Sequence, residues 1–450
     1  MQPVIIVGAG LVGSLWALLL AKRGYAVQVY ERRPDMRAAG FVGGRSINLA
    51  MSARGWKAMR RAGIAEAIRE TGIPMYGREM HQDDGTLAFQ PYGQEGQAIF
   101  SVSRGGLNKS LIEAADAYDN VELFFEHKCE GVDLRKQQIT FRDAADGTAK
   151  TLDYEVLFGA DGAFSAVRAA MMRTPKFNYS QSYLEHGYKE LTIPPHEDSS
   201  HRMKVEALHI WPRGQFMLIA LPNPDGSFTC TLFLPFEGEE SFANLQTREQ
   251  ITAFFQKYFP DTLELIPDLP GNFLENPTPP LVTIRCNPWQ YGGHTCLMGD
   301  ASHAIVPFYG QGMNSGFEDC TILDDLVAEH GSDWPTIVRT FSDNRPEDAD
   351  AIADLALRNF IEMRDAVADP EFLQRKKLEK HLHATYGDAF LPVYSMVTFS
   401  EIPYREALAA TGEQDRLFER IKTVDDWRDN HDSPALKKLV EHHIDQGSTG

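Results

Sequence analysis

The stretch from Val4 to Glu31 constrains this chain more than any other, because every part of a dinucleotide-binding unit occurs there in register. An apolar run, Val4 to Val7, leads into Gly8-Ala9-Gly10-Leu11-Val12-Gly13. A helical stretch, Ser14 to Arg23, ends at Gly24, and a second β-rich run, Ala26 to Tyr30, delivers Glu31. Gly8 permits the tight turn, Gly10 lets the backbone approach a pyrophosphate, and Gly13 lets the helix pack closely on the strand. The free N–H groups and positive end of that helix suit phosphates, and Glu31 can accept hydrogen bonds from a ribose.

Two later segments narrow the nucleotide. Leu157 to Arg168, with Gly159-Ala160-Asp161-Gly162, is an apolar strand ending in a Gly/Asp turn, and Cys296-Leu297-Met298-Gly299-Asp300-Ala301-Ser302-His303 is a second strand-to-turn carrying an acid. Either acid alone reads as an Asx-turn after a strand. In this order after the glycine unit, the three segments resemble the flavoprotein aromatic hydroxylases. The resemblance implies FAD as the nucleotide, with Asp161 near it and Asp300 on the ribityl chain. Val306 to Asn314 then opens a helix running to about His330. Its glycines, Gly310 and Gly312, with Met313 and Asn314, place a helix start where the resemblance puts the flavin ring. The alternative is a glycine-rich N-cap without a ligand.

A chain of 450 residues exceeds one ordinary core, so two or three domains are expected. The formal net charge of −19 argues against nucleic acid or an anionic membrane as partner. Five cysteines show no metal spacing and no even disulfide framework, which points to a reducing compartment. Neither a signal peptide nor an apolar run of transmembrane length is evident, so a soluble cytoplasmic protein without a membrane anchor is expected.

The predicted fold class is α/β (α+β overall): a Rossmann-type FAD-binding domain, an inserted antiparallel β-sheet substrate domain and a C-terminal helical segment. Residues 1–75, 97–176 and 281–345 are assigned to the first, 76–96 and 177–280 to the second, and 346–450 to the third. Helix is predicted from Ser52 to Arg69 and from Ser103, a candidate N-cap, to Ala117. Strands are predicted over Gly77 to Tyr92, around a turn at Asp83-Asp84-Gly85, and over Val121 to Phe125. Further strands are expected at Leu208 to Trp211, Phe216 to Leu221 and Phe228 to Pro235, with a hairpin at Pro222-Asn223-Pro224-Asp225-Gly226. Residues 247–260 read as a surface helix and the Pro-rich run 267–280 as a connector. The charged run Arg375 to Lys380 reads as a solvated helix face, and His381 and His383 as surface residues rather than metal ligands.

Within the hydroxylases the resemblance narrows. Glu31-Arg32-Arg33-Pro34, Gly44-Arg45-Ser46-Ile47-Asn48-Leu49-Ala50, Gln90-Pro91-Tyr92-Gly93, His186 to Leu191, Ala207 to Pro212 and Tyr394 to Ser400 are similar to the kynurenine 3-monooxygenase family, from the first strand to about residue 410. The resemblance implies that Arg32, Arg45 and Arg104 join Gly8, Gly10, Gly13, Glu31, Asp161 and Asp300 as cofactor contacts. It carries the grip on a substrate carboxylate to Arg78, whose planar fork donates two parallel hydrogen bonds. Tyr92 and Tyr394 complete that site, Asn359 and Met363 close it from one helix face, and Phe233, Pro307 and Phe308 wall the aromatic ring. Tyr309 departs from the pattern, since some members carry histidine there.

The implied reaction uses NADPH as a transient hydride donor to FAD, and O2, to hydroxylate L-kynurenine to 3-hydroxykynurenine. No side-chain nucleophile and no metal are required. A hydroxylase of another aromatic acid would keep Gly8, Asp161 and Asp300 but not Arg78, Tyr92 and Tyr394. A flavin-binding interaction protein would oxidise NADPH without a hydroxylated product, and its signature, an appended interaction domain, is not visible.

Overall fold

The computed structural model describes residues 2–39, 48–366 and 370–447. Val4–Val7 is wholly buried and pairs in parallel with Val27–Tyr30 on one side and Leu157–Gly159 on the other. Val121–Phe124 and Thr295–Leu297 extend this parallel core outwards, and antiparallel Gln290–Tyr291 completes a six-stranded sheet. The helix Leu11–Lys22 is buried along most of its length, with Leu15, Trp16, Ala17 and Leu20 fully enclosed. It packs between helices Arg104–Asp116 and Gly312–His330, and that two-sided burial explains its lack of a polar face. Ser103 caps Arg104–Asp116 by accepting from the Gly106 N–H, as its position predicts.

The second large sheet has seven strands, in the order Pro280–Asn287, Asn178–Ile193, Phe228–Pro235, Met217–Pro222, Ala207–Pro212, Gly77–His81 and Leu87–Pro91. All its pairs are antiparallel except Ala207–Pro212 with Gly77–His81. Alternation sorts its faces: Leu191, Cys230, Leu232 and Leu218 pack under helix Arg248–Tyr258, while Met217, Phe233 and Met80 face the opposite way. Helices Pro346–Ile361, Pro370–Tyr386, Val393–Phe399, Tyr404–Ile421 and Pro434–Gly447 follow the nucleotide-binding part. No helix among the described residues is long and apolar enough to cross a membrane.

Several expectations need correction. The helix over Ser52 to Arg69 is two, Ala53–Ala62 and Ala65–Thr71, because Gly63 takes a left-handed conformation and ends the first. The Pro-rich run 267–280 is not a plain connector; it holds helix Leu269–Glu275, whose proline at the first turn lacks only a hydrogen bond no helix start makes. The run Arg375 to Lys380 is not a solvated face alone. Leu378 and Glu379 are buried, and Arg375 and Lys376 both pair with Glu379. His383 is buried too, with Nε2 3.1 Å from the Gln94 amide. A three-stranded antiparallel meander, His127–Asp133, Gln138–Asp143 and Ala149–Asp153, was not anticipated.

Behind Gly77–His81 lies a buried histidine pair. His81 sits 3.0 Å from Asp261 and 2.9 Å from His209 Nδ1, and His209 Nε2 donates to the Lys204 carbonyl at 2.8 Å. Burial drives the His209 pKa from 6.5 down to about 4. Between those values the unfolded chain binds a proton that the folded chain refuses, so stability is full above pH 6.5 and falls as pH drops towards 4. The expected contribution is up to about 3 kcal/mol. Thermal melts from pH 7 to pH 4 should show this decline, and His209→Gln should flatten it; an unchanged slope in the variant would remove His209 as its source.

Candidate active site

Four loops leave the carboxyl ends of the parallel strands at one edge of the six-stranded sheet: Gly8 after Val4–Val7, Glu31 after Val27–Tyr30, Asp161 after Leu157–Gly159, and Asp300 after Thr295–Leu297. Because Val4–Val7 has a neighbour on each side, the chain departs in opposite directions and opens a crevice there. A cavity of about 630 Å³ joins this crevice to the face of the seven-stranded sheet.

At the crevice end the glycines meet different demands. Gly8 has φ +101°, and a Cβ on it would lie 2.5 Å from the Ala160 carbonyl oxygen; a Cβ on Gly13 would fall on the carbonyl oxygen of Gly8. Both serve the fold. A Cβ on Gly10 would meet no atom of the described residues within 4 Å, yet Gly10 lines the cavity. A glycine there answers to whatever fills the cavity.

Glu31 is buried, and its carboxylate accepts from the Ala9 N–H at 2.9 Å and from the Arg33 N–H and guanidinium, each at 2.9 Å. Burial pushes its carboxyl up, but the hydrogen bonds and charge of Arg33, with the Ala9 N–H, win and hold it below the ordinary range. Asp161 Oδ2 accepts from the Ala166 N–H at 2.6 Å, while Oδ1 is buried with no partner among the described residues. Burial outweighs these bonds and raises the Asp161 carboxyl. Arg32, Arg104 and Asp300 are exposed and line the cavity, as do Gly310, Gly312 and Met313 at the start of helix Gly312–His330. Gly13 and Asn314 stand just behind the wall: Asn314 donates to the Ala50 and Gly310 carbonyls at 2.9 and 2.8 Å and accepts from the Ser52 N–H. Arg45 lies outside the described residues. A backbone-lined cleft, a buried acid at the end of the second strand, a carboxylate oxygen without a partner among the described residues and a helix start whose first N–H groups have no intrahelical acceptor together fit a dinucleotide.

The opposite end gathers Arg78, Tyr92, Tyr309, Tyr394 and Met363. The Arg78 guanidinium carbon lies 5.4 Å from the Tyr92 ring centre and 5.2 Å from that of Tyr394. Tyr394 stacks on both Tyr92 and Tyr309, at 5.4 and 5.5 Å. Burial raises all three phenols, so they are neutral donors near neutral pH. Among the described residues, Arg78 Nε and the Tyr92 hydroxyl are buried and neither makes a well-formed hydrogen bond, although Tyr92 stands close enough to Arg78 and Tyr394 to interact with both. Unmet buried donors are costly, and a phenol hydroxyl beside a guanidinium with a free N–H describes an anion site.

Between the two ends lies an apolar wall. Phe233 meets Phe308 at 4.8 Å, Phe308 stacks on Phe360 at 4.1 Å, and Pro307 faces the cavity. A π-turn, Glu362–Ala366, carries Met363 to the wall. Asn359 does not line the cavity; its amide donates to the Phe308 carbonyl at 2.7 Å and so fixes the wall from behind. Two supporting residues escaped the sequence reading. Arg168 is buried and donates to the Ala301 carbonyl at 2.7 Å and the Ala163 carbonyl at 2.5 Å, tying the Asp161 loop to the Asp300 turn. Phe360 backs Phe308, and its place beside Asn359 on one helix was the available signal.

A family model described as an FAD binding domain matches residues 1–356. A kynurenine 3-monooxygenase from Flavobacterium johnsoniae is 48% identical over 437 residues, 97% of this chain and 97% of its own. The chain belongs to the kynurenine 3-monooxygenase family. The likeness extends to animal members: those of Anopheles gambiae and Sus scrofa are 44% and 45% identical, over 93% and 90% of this chain and 87% and 85% of theirs. Among solved structures, the tetrameric form of 2-methyl-3-hydroxypyridine-5-carboxylic acid oxygenase superposes with TM-score 0.67 at 16% identity, covering 83% of this chain and 95% of its own. Pseudomonas putida p-nitrophenol 4-monooxygenase gives 0.66 at 18%, covering 92% and 98%. These two share the fold. As a member of the family the chain is a flavoprotein monooxygenase with FAD as cofactor, and NADPH and O2 are the co-substrates of its class.

Proposed function

We propose that the chain hydroxylates L-kynurenine to 3-hydroxy-L-kynurenine, with the amino-acid end of the substrate at Arg78 and its ring against Phe233, Pro307 and Phe308. The observation that carries this reading is the pair of buried donors, Arg78 Nε and the Tyr92 hydroxyl, neither of which makes a well-formed hydrogen bond among the described residues, at the end of the cavity away from the nucleotide crevice. A carboxylate accepts from both and neutralises the cation.

Gly8, Gly10 and Gly13 shape the cleft for the dinucleotide. Glu31, Arg32, Arg104, Asp161 and Asp300 flank it, and Gly310, Gly312, Met313 and Asn314 form the turn against its ring. Bound FAD supplies hydride acceptance from NADPH and the activation of O2. The protein's own residues bind, orient and keep the site dry. Arg78 and Tyr92 anchor the substrate, and Tyr394, stacked on Tyr92 and Tyr309, keeps that phenol in place. Asn359 holds the Phe308 carbonyl, which sets the ring's depth. Met217, Leu281, Val306 and Met363 exclude water. The substrate's aromatic amine enriches its ortho carbon, so no protein nucleophile is needed.

The test is NADPH consumption by FAD-loaded protein with and without L-kynurenine. Stimulated oxidation is expected. Oxidation indifferent to L-kynurenine but stimulated by another aromatic acid would transfer the Arg78 end to that acid.

A further inference from the structure

We propose that Tyr404 is a positioning residue for the cofactor: its hydroxyl holds Gln311 and thereby fixes the Gly310–Gly312 turn against the flavin. This rests on the reading that places that turn at the flavin ring. Gly310 and Gly312 line the cavity, but the Gln311 side chain between them is buried on the other side, away from it. There the Tyr404 hydroxyl donates to Gln311 Oε1 at 3.0 Å, and Ser52 Oγ lies 3.3 Å from Gln311 Nε2. Both ends of the amide are gripped. Burial raises the Tyr404 phenol, which keeps the hydroxyl protonated and able to donate.

Tyr404 cannot easily drift. It is fully buried at the start of helix Tyr404–Ile421, and the Arg54 guanidinium sits 3.9 Å from its ring centre. Arg54 is anchored by Glu318 at 2.7 Å, by the Val397 and Ser400 carbonyls at 2.8 and 3.0 Å, and by the Ile402 carbonyl. The brace matters because Gln311 is the N-cap of helix Gly312–His330, and its side chain makes no capping hydrogen bond to that helix. The first N–H groups of the helix therefore point wherever the Gln311 backbone aims them. Asn314 clamps the turn through the Gly310 carbonyl, and Tyr404 clamps it through Gln311.

Tyr404→Phe removes the hydroxyl while keeping the ring beneath Arg54. The loss of one net hydrogen bond should raise the FAD dissociation constant about two- to tenfold, measured by titrating apoprotein with FAD. The visible flavin band should shift, with KM for L-kynurenine unchanged. Unchanged FAD affinity and spectrum, even alongside a lower apoprotein melting temperature, would overturn the proposal and leave Tyr404 a core residue. If Tyr404→Phe does not fold, Gln311→Met removes the acceptor instead, and the same two readouts decide. A wild-type protein that binds no FAD would sink the flavin reading itself; one that binds FAD with Tyr404→Phe indistinguishable sinks only this inference.

Discussion

Arg78→Ala is expected to raise KM for L-kynurenine by roughly 30-fold or more while leaving FAD binding intact, because truncating a buried charge pair costs about 2–5 kcal/mol. The variant also leaves the Tyr92 hydroxyl as the only remaining anchor of the pair. Steady-state kinetics and a flavin spectrum on one preparation separate the two effects. A kynurenine dissociation constant equal to wild type would remove the carboxylate from the Arg78 end. Arg78→Lys should recover little, since a point charge cannot reproduce the planar fork.

A second large effect is expected at the first turn of the fold. A Cβ on Gly13 would collide with the Gly8 carbonyl oxygen, which is backbone and cannot swing aside. Gly13→Ala should therefore cost about 1–3 kcal/mol of overpacking strain, lowering apoprotein stability and FAD retention together. Gly10→Ala is the informative contrast. Its Cβ would meet nothing among the described residues and its φ of −74° suits alanine, so apoprotein stability should hold while FAD affinity falls. Thermal melts without FAD, with flavin-to-protein absorbance ratios after gel filtration, distinguish the two. A Gly10→Ala protein with full flavin content would show that the cofactor does not approach that backbone.

What could be read in the sequence depended on how local the signal was. Val4 to Glu31 was legible because strand, glycines and helix are written within one short segment, and the observed elements differ from expectation only at their ends. The Asp161 and Asp300 turns were legible for the same reason. The meander at 127–153 was not: its two outer strands bury no residue, and the two buried positions of the middle strand, Ile139 and Phe141, leave a weak pattern. Prolines hid helix Leu269–Glu275. The burial of His383 depended on a partner elsewhere in the chain, Gln94, 289 residues away. In the site, residue types came through the family resemblance, but their arrangement did not. Nothing in the spacing of Arg78, Tyr92, Tyr309 and Tyr394 announces three stacked phenols around one guanidinium. Asn359 was expected at the substrate and stands one layer behind it, because its amide is already used by the Phe308 carbonyl.

The most direct test of the central claim is turnover of L-kynurenine under heavy-isotope oxygen gas, with FAD-loaded protein, NADPH and mass analysis of the product. One heavy oxygen atom on the ring carbon ortho to the aromatic amine is the predicted result. Peroxide without a hydroxylated product, or a product oxygen drawn from water, would contradict the account.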